Sequence, residues 1–294
     1  MPLSFNPINL DKKSSYQKLT AQCPQVSSDY SFINLWGWGP EYGLEWAWED
    51  DLVWIRQTIP TTIYWAPMGA WNRIDWANRL GPLFFDDTQF GRVPDKLEQI
   101  WQNVGDLAIE SSEARGQWDY LYDQKDLINL SGNRFHKKKN LLRQFTRKYD
   151  FHYVDMTPDT IAAALAMQTA WCTWRDCEAH AALDAENRSI ARVLNGWKNL
   201  PEIIGGSLWV KDKMVAYTVA EHFAGDTMLI HFEKGNPDYK GVYQAINQLF
   251  LSNLNSDFKL VNREQDLDDP GLRKAKLSYH PVDFIRKFNV ILAG

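Results

Sequence analysis

The chain has 294 residues, of which 45% are hydrophobic and 14% aromatic, and this composition excludes a disordered protein. Its length is sufficient for two domains, each with a hydrophobic core of its own. The formal net charge of −5 argues against general nucleic-acid binding, which needs an excess of basic surface, but it allows a local basic site.

The N-terminal half is predicted to mix short helices with strands. Large apolar residues alternate on both sides of the Asp50-Asp51 turn, which is the pattern of a β-hairpin. The predicted elements, in chain order, are helices at 12–23 and 29–36, the hairpin at 42–58, a strand at 61–69, helices at 71–80 and 96–104, and a strand at 107–111.

A basic helix is predicted to end the N-terminal half, within residues 127–149. Apolar residues such as Leu142 and Phe145 recur at helical spacing on one stripe, and cations such as Arg143 and Arg147 recur on another. A charged stripe is usually a solvated face, and the alternative is a surface that contacts phosphates of a tRNA acceptor end or a phosphorylated substrate. The cations predicted to bind phosphate are Lys137, Lys138, Lys139 and Arg143.

The C-terminal half is predicted to have the element order βααβββαβαβ. Thr157 as N-cap and Pro158 at the first helical position begin its first helix. Three strands within 205–235 are joined by tight polar turns into a meander, and such a mixture is typical of an α+β fold. The first half shows a blurred version of the same order, which suggests a duplication. The predicted domains are residues 1–149, ending in the basic helix, and 150–294.

Three strings of the sequence resemble one family of transferases. They are GNRFHKKKNLLRQF at 132–145, IHFEKGNPDYKGVYQAINQLF at 230–250 and VNREQDLDDPGLRKAKLSYHP at 261–281. In this order they resemble the C-terminal domain of bacterial phosphatidylglycerol lysyltransferases and its free-standing soluble relatives. The resemblance is strong over the last two thirds of the chain and weak over the first third.

This resemblance implies two tandem domains of the acyl-CoA N-acyltransferase (GNAT) fold, with mixed, largely antiparallel sheets. It also implies an enzyme that moves an aminoacyl group from aminoacyl-tRNA to an amine or hydroxyl. The chain departs from full lysyltransferases in showing no membrane-spanning region. The acceptor is therefore left open among a small molecule, a peptide and a lipid headgroup.

Candidate catalytic residues lie in the predicted strand at 227–235. Regular alternation places His231 and Glu233 on one face of this strand. A histidine or carboxylate at the end of a central strand can act as a general base, although such groups more often pair with backbone or with a cation. Both residues are predicted to be catalytic, with that structural role as the alternative.

The loop before the next helix is where, by resemblance, GNAT enzymes bind the pyrophosphate of coenzyme A. Backbone N–H groups and the positive end of the helix dipole bind phosphate at such a place. Lys240 and Gly241 are the predicted contacts, but the loop is poor in glycine, which weakens the coenzyme A interpretation. An ordinary helix start at Asn236 and Pro237 is the alternative.

Residues 262–281 are acidic in their first half and basic in their second. Acidic groups before a helix and cations near its end complement the helix dipole. Arg273 and Lys276 also form a cationic stripe, and the resemblance places this helix beside the transferase cleft. Both are therefore predicted to contact phosphate or carboxylate of the donor. The predicted acceptor pocket consists of Asn262, Glu264 and Tyr279.

The three cysteines, Cys23, Cys172 and Cys177, are odd in number and are not spaced as metal ligands. No signal-peptide-like segment precedes them, so reduced thiols in a cytoplasmic protein are predicted. The longest apolar stretch, 161–172, is shorter than the roughly 18 residues that a membrane helix needs, so no integral membrane segment is expected. No metal site and no covalent nucleophile are predicted.

Three functions remain open at this level. An aminoacyltransferase is favoured by the three strings, the basic helix and the poor coenzyme A loop. The alternatives are an acyl-CoA-dependent N-acyltransferase of a small amine or peptide, and a non-catalytic binding protein on the same fold. No cofactor is expected besides the donor substrate, aminoacyl-tRNA or acyl-CoA, and the oligomeric state is left open.

Overall fold

The computed structural model describes residues 3–85, 87–105, 107–254 and 258–293, which form two compact α+β units. The first unit consists of Met1–Asp119, Gln265–Asp269 and Phe284–Gly294, and the second of Tyr120–Glu264 and Pro270–Asp283. Within the described residues each unit is built around one of two seven-stranded sheets.

The described helices and strands are bounded as follows. The helices are α1 Lys13–Thr20, α2 Phe32–Gly37, α3 Gly39–Tyr42, α4 Trp76–Leu80, α5 Asp95–Gln102, α6 Gln124–Asn129, α7 His136–Lys148, α8 Ile161–Arg175, α9 Ala181–Asn195, α10 Val242–Asn253 and α11 Pro270–Leu277. The strands are β1 Asn6–Pro7, β2 Glu45–Trp48, β3 Leu52–Gln57, β4 Ile63–Gly69, β5 Gln89–Pro94, β6 Ile109–Glu113, β7 Asp119–Asp123, β8 Phe151–Asp155, β9 Ile203–Val210, β10 Lys213–His222, β11 Thr227–Gly235, β12 Leu260–Asn262, β13 Asp283–Ile285 and β14 Lys287–Leu292.

The first sheet has the strand order β1-β2-β3-β4-β5-β14-β6. The predicted hairpin is present as β2 and β3, which pair antiparallel on both sides of the Asp50-Asp51 turn. The core of the first unit is unusually aromatic, because Trp46, Trp54 and Trp101 are almost completely buried. Burial of such large apolar side chains is the main source of stability in a core of this kind.

A buried ionic cluster lies in the first unit. The ammonium of Lys287, which has no exposed surface, contacts Asp29 and lies 2.7 Å from Oδ1 of Asp119. Arg92 also pairs with Asp29. Burial alone would raise the pKa of Asp29, but the charges of Lys287 and Arg92 lower it below its usual value. The cluster therefore keeps the carboxylate of Asp29 ionised away from water.

The compact units do not have the bounds of the two predicted domains. Residues 120–149 belong to the second unit, because Phe145 of α7 packs against Leu208, Val242 and Ile246 in the core of that unit. The final strand, β14, belongs to the first unit, where it pairs antiparallel with β5 and β6. Pairing between strands distant in sequence leaves no local signal from which a boundary could be read.

The second sheet has the strand order β13-β7-β12-β11-β10-β9-β8. Strands β9 to β11 form the predicted antiparallel meander, β8 pairs antiparallel with β9, and β11 pairs in parallel with β12. Helices α7 and α10 pack on this sheet, and Leu142 and Tyr149 cover the same apolar cluster as Phe145. The predicted apolar stripe of the basic helix is thus confirmed, as is the α+β class.

Gly241 allows α7 and α10 to approach closely. Its φ is +90°, and a Cβ at this position would lie 2.1 Å from the backbone oxygen of Leu141. Because that oxygen belongs to a helix backbone, it cannot move aside easily. Gly241 therefore has a packing role, whatever it binds.

Replacing Gly241 with alanine should destabilise the protein by roughly 2–4 kcal/mol, because positive φ and overlap with the helix backbone both oppose a Cβ. Urea unfolding of the variant gives this value. Gly132→Ala is the control, since Gly132 has φ +82° but no atom within 4 Å of the place that a Cβ would occupy. Equal losses in the two variants would contradict the role of the Leu141 contact.

Cys172 and Cys177 form a disulfide, which corrects the prediction that both are reduced thiols. Helix α8 ends at Arg175, and Asp176 adopts a left-handed conformation that turns the chain back toward the helix. The two Cα atoms are 5.0 Å apart as a result. The prediction rested on the odd number of cysteines and on the absence of a signal-peptide-like segment, and neither observation shows how close two cysteines lie in the fold. Cys23 is not part of a disulfide.

No helix in the described ranges combines the length and the apolar character that crossing a bilayer requires. Within those same ranges, no group of three or more histidine, cysteine or acidic side chains is arranged to hold a metal ion.

Candidate functional site

The parallel strand β12 is short and pairs with only the first three residues of β11. Their pairing ends where Leu229 lies opposite Asn262, although β11 continues to Gly235. On its other side, β11 contains a bulge, since Val219 lies opposite Phe232 and Ala220 opposite Ile230. We call the opening between residues 230–235 and 263–264 the strand gap.

His231 is the extra residue of this bulge, and it lies between two carboxylates. Its Nε2 is 3.2 Å from Oε1 of Glu221, and its Nδ1 is 3.3 Å from Oε1 of Glu264. Complete burial lowers the pKa of the imidazole, but the two carboxylates outweigh burial and raise that pKa to about 9. At neutral pH His231 is therefore a cation that donates both N–H groups. This state does not favour the general-base role predicted for it, because a base must be neutral.

The stability of the protein should fall as the pH rises from about 6.5 to 9. The pKa of His231 in the folded state lies above the unfolded value of about 6.5. Protonated His231 therefore stabilises the folded state fully below pH 6.5, and this stabilisation is lost as the pH rises to the folded pKa. The loss should be on the order of 2–3 kcal/mol.

Urea unfolding at several pH values measures this dependence. It should disappear in His231→Gln and persist in His180→Gln, which changes an exposed histidine. An unchanged dependence in His231→Gln would show that another group titrates.

Glu264 is held in a strained conformation at the strand gap. Its φ is +56°, a region that residues other than glycine seldom adopt. Its N–H donates to Oδ1 of Asn262 over 2.8 Å, and its carbonyl accepts from the N–H of Tyr120. This conformation directs the Glu264 carboxylate to His231. Asn262 is fully buried and supports the turn, so two of the three predicted acceptor-pocket residues are engaged with the fold.

Lys276 is also engaged with this turn. Its ammonium donates to the carbonyl of Arg263 and, over 3.3 Å, to that of Glu264. In this structure the ammonium of Lys276 therefore binds backbone carbonyls, and the donor contact predicted for it stays a prediction. Arg273 is half-buried on α11, and Leu272 beside it is 40% exposed, so the stripe does not border a fully packed face. The donor contact of Arg273 stays a prediction.

Glu233 faces the strand gap and forms an ion pair with Arg263. Its Oε1 lies 2.9 Å from Nη2 of Arg263, and its Oε2 accepts from Nδ2 of Asn247 over 3.0 Å. The side chain of Glu233 is only 9% exposed. With both oxygens engaged, Glu233 is better placed to orient the guanidinium than to take a proton directly. Its predicted catalytic role stays untested by this geometry.

Arg263 and one of its aromatic neighbours, Tyr122, were not predicted from the sequence. The guanidinium carbon lies 4.9 Å from the ring centre of Tyr279 and 5.8 Å from that of Tyr122. The available signal was the position of Arg263 directly after β12, at the carboxyl end of a central strand. Tyr279, the third predicted acceptor-pocket residue, lies against Arg263 at the strand gap, and its contact with an acceptor stays a prediction.

Of the four predicted α7 cations, Lys138 is the one that lies in this group. Its Nζ is 4.1 Å from the centre of the Tyr279 ring. Burial and the nearby Arg263 charge lower the pKa of Lys138 to about 8. Lys137 and Arg143 are exposed and Lys139 is half-buried, so these three lie on the outer surface of α7.

Lys240 lies at a different place from the strand gap. Together with Gln144, Arg147 and Lys148 it lines an open depression of about 440 Å³. Three of these four side chains are cationic, so the depression attracts phosphate. The adjacent Gly241 serves the contact between α7 and α10, and the pyrophosphate role predicted for both residues stays a prediction.

The family of phosphatidylglycerol lysyltransferase C-terminal domains matches residues 20–291. The chain belongs to that family. This match agrees with a tandem GNAT-like α+β fold whose two sheets are mostly antiparallel. The resemblance carried by the three sequence strings is therefore confirmed.

Individual relatives agree with this assignment. A conserved protein of unknown function from Bacteroides thetaiotaomicron has a TM-score of 0.87 and 28% identity, with 99% of each chain covered. The C-terminal domain of a putative lysylphosphatidylglycerol synthetase from Agrobacterium fabrum has a TM-score of 0.64, covering 97% of this chain and 91% of that one. Its identity is 12%, so it shows the fold alone.

One relative was found by sequence alone, an uncharacterized protein of Mycoplasmoides gallisepticum. It is 25% identical over 213 residues, which are 67% of this chain. The match spans 66% of that protein, just under two thirds of its length.

Proposed function

We propose that this protein is an aminoacyltransferase that moves an aminoacyl group from aminoacyl-tRNA to an amine or hydroxyl acceptor. Membership of the lysyltransferase family supports transfer of an acyl or aminoacyl group in general. The observation that favours tRNA as donor is the cationic surface of α7. Its outer cations lie on the same helix as Lys138, which lies beside the strand gap. The protein as a whole has a net negative charge, so this basic surface is a local feature.

The reaction replaces one acyl bond with another. The acceptor nitrogen or oxygen attacks the ester carbonyl at the tRNA terminus, the ester bond to the ribose breaks, and a proton passes from the nucleophile to the leaving hydroxyl. The electron count does not change, so no oxidant or reductant takes part. Such a reaction depends on positioning and on dipoles that stabilise the oxyanion.

The residues of the strand gap suit this requirement. The short pairing of β11 with β12 leaves backbone groups of residues 230–235 without partners from β12, and such groups can bind the carbonyl oxygen of a substrate. With a pKa of about 8, Lys138 is mostly a cation at neutral pH, so it can position an anionic group of the substrate beside the strand gap.

Transfer of labelled amino acids from total charged tRNA into a cytosolic extract tests this proposal. We expect label to appear in an acid-stable or base-resistant product only when the protein is present. Purified charged tRNAs, added singly, then identify the amino acid. No transfer from any aminoacyl-tRNA would contradict the proposal.

A second function is supported by the depression at Lys240, which is cationic and lies directly before α10. An acyl-CoA-dependent N-acyltransferase would bind the coenzyme A phosphates there. Thermal unfolding in the presence of acetyl-CoA distinguishes this function from that of an aminoacyltransferase, since a ligand that binds only the folded state raises the apparent stability of the protein. A shift with acetyl-CoA that is lost in Lys240→Glu favours this second function, and no shift at millimolar concentration counts against it.

A further inference from the structure

One nitrogen of the Arg263 guanidinium lacks a hydrogen-bond acceptor. Nη2 is paired with Glu233, whereas Nη1 is buried and has no partner among the described residues. A buried donor without an acceptor is costly, and such groups are rare in folded proteins. The Arg263 side chain also hydrogen-bonds to that of Tyr279, but the Tyr279 hydroxyl carries no charge to balance the guanidinium.

The charges around this nitrogen are also unbalanced. Lys138 and Arg263 lie against the same Tyr279 ring, at 4.1 Å and 4.9 Å from its centre. The carboxylate that faces them, Glu233, already accepts from Arg263 and Asn247. Two cations and one carboxylate give this half-buried group a net charge of +1, and the repulsion between the cations contributes to the lowered pKa of Lys138.

We propose that Lys138 and Arg263 together bind one oxyanion, a phosphate or carboxylate group of a substrate, beside the ring of Tyr279. An oxyanion accepts a hydrogen bond from Nη1 and from Nζ at once and neutralises the excess charge. The assignment of this oxyanion to a donor or an acceptor substrate rests on the proposed function.

Binding of inorganic phosphate to the full chain, measured by calorimetry at constant ionic strength, tests the site without tRNA. We expect Lys138→Met to weaken the affinity about tenfold or more, since it removes one charge-assisted contact. Arg263→Lys keeps a cation beside Glu233 but removes Nη1, and it should weaken phosphate similarly. Lys125→Met, which removes an exposed cation of α6, should change the affinity less than twofold.

Thermal unfolding shows whether each variant is folded, and Lys138→Met tests the site even if Arg263→Lys unfolds. The site is contradicted if neither phosphate nor acetate binds, or if Lys125→Met weakens binding as much as Lys138→Met. Stronger binding of phosphate than of acetate assigns the oxyanion to a phosphate, and the reverse order assigns it to a carboxylate.

Competition distinguishes the two sources. Displacement of phosphate by uncharged tRNA assigns the oxyanion to the donor, and displacement by dimethyl phosphate or acetate alone assigns it to the acceptor. The outcome is separate from that of the proposed function. Phosphate binding without any aminoacyl transfer contradicts the function alone, and transfer without phosphate or acetate binding contradicts the site alone.

Discussion

Reversing Lys139 and Arg143 to glutamate together should reduce aminoacyl transfer from tRNA by about 100-fold at moderate salt. Each cation that contacts a phosphate releases a counterion from the tRNA, and this release favours binding. A glutamate at the same position repels the phosphate instead. Both side chains lie on the outer surface of α7, so the folded state should be little affected. Transfer rates measured with subsaturating charged tRNA check the result.

The matched control is Lys198→Glu with Lys213→Glu, which makes the same change in net charge at two exposed lysines away from α7. This control should retain at least about half of the wild-type rate, because long-range effects on exposed charges are screened by salt. A comparable loss in both double variants would show that net charge, and not the surface of α7, governs tRNA use.

Replacing Lys287 with methionine should destabilise the protein by about 3–5 kcal/mol. Lys287 is fully buried between Asp29 and Asp119, and its removal takes a buried cation from Asp119 and leaves Asp29 paired with Arg92. Methionine keeps most of the side-chain volume, so the loss measures charge more than packing. Urea unfolding at neutral pH gives the value.

Arg286→Met is the control for this effect, because it removes a neighbouring cation that is exposed. Its cost should stay within about 1 kcal/mol. Adding Asp119→Asn to Lys287→Met should restore part of the lost stability, since it removes the charge that Lys287 no longer balances. Additive losses in that double variant would contradict an electrostatic origin.

Local patterns predicted the parts of the fold that depend on neighbouring residues. The hairpin at Asp50-Asp51, the meander of β9 to β11 and the apolar stripe of α7 all follow from period-2 or helical spacing. Pairings between distant segments carry no such pattern. For this reason β14 and residues 120–149 lie in compact units that differ from the predicted domains. The disulfide joins Cys172 and Cys177, which are only five residues apart, and it was missed because it depends on the left-handed turn at Asp176 that ends α8.

The candidate site was predicted in its residue types but not in its arrangement. Alternation assumed that β11 is regular, whereas the bulge at His231 interrupts its register with β10. The ion pair of Glu233 with Arg263 depends on where the pairing of β11 with β12 ends, which a single sequence does not show. Of the predicted cations, Lys138 reaches the strand gap and Lys276 binds backbone carbonyls instead.

The most direct test of the assignment compares two donors with one preparation of the full chain. Label transfer to the same cytosolic acceptors is measured from a mixture of aminoacyl-tRNAs and, in parallel, from acetyl-CoA. We predict transfer from aminoacyl-tRNA well above spontaneous hydrolysis, lost in Lys139→Glu with Arg143→Glu, and none from acetyl-CoA. Transfer from acetyl-CoA alone, with aminoacyl-tRNA left intact, would contradict the account.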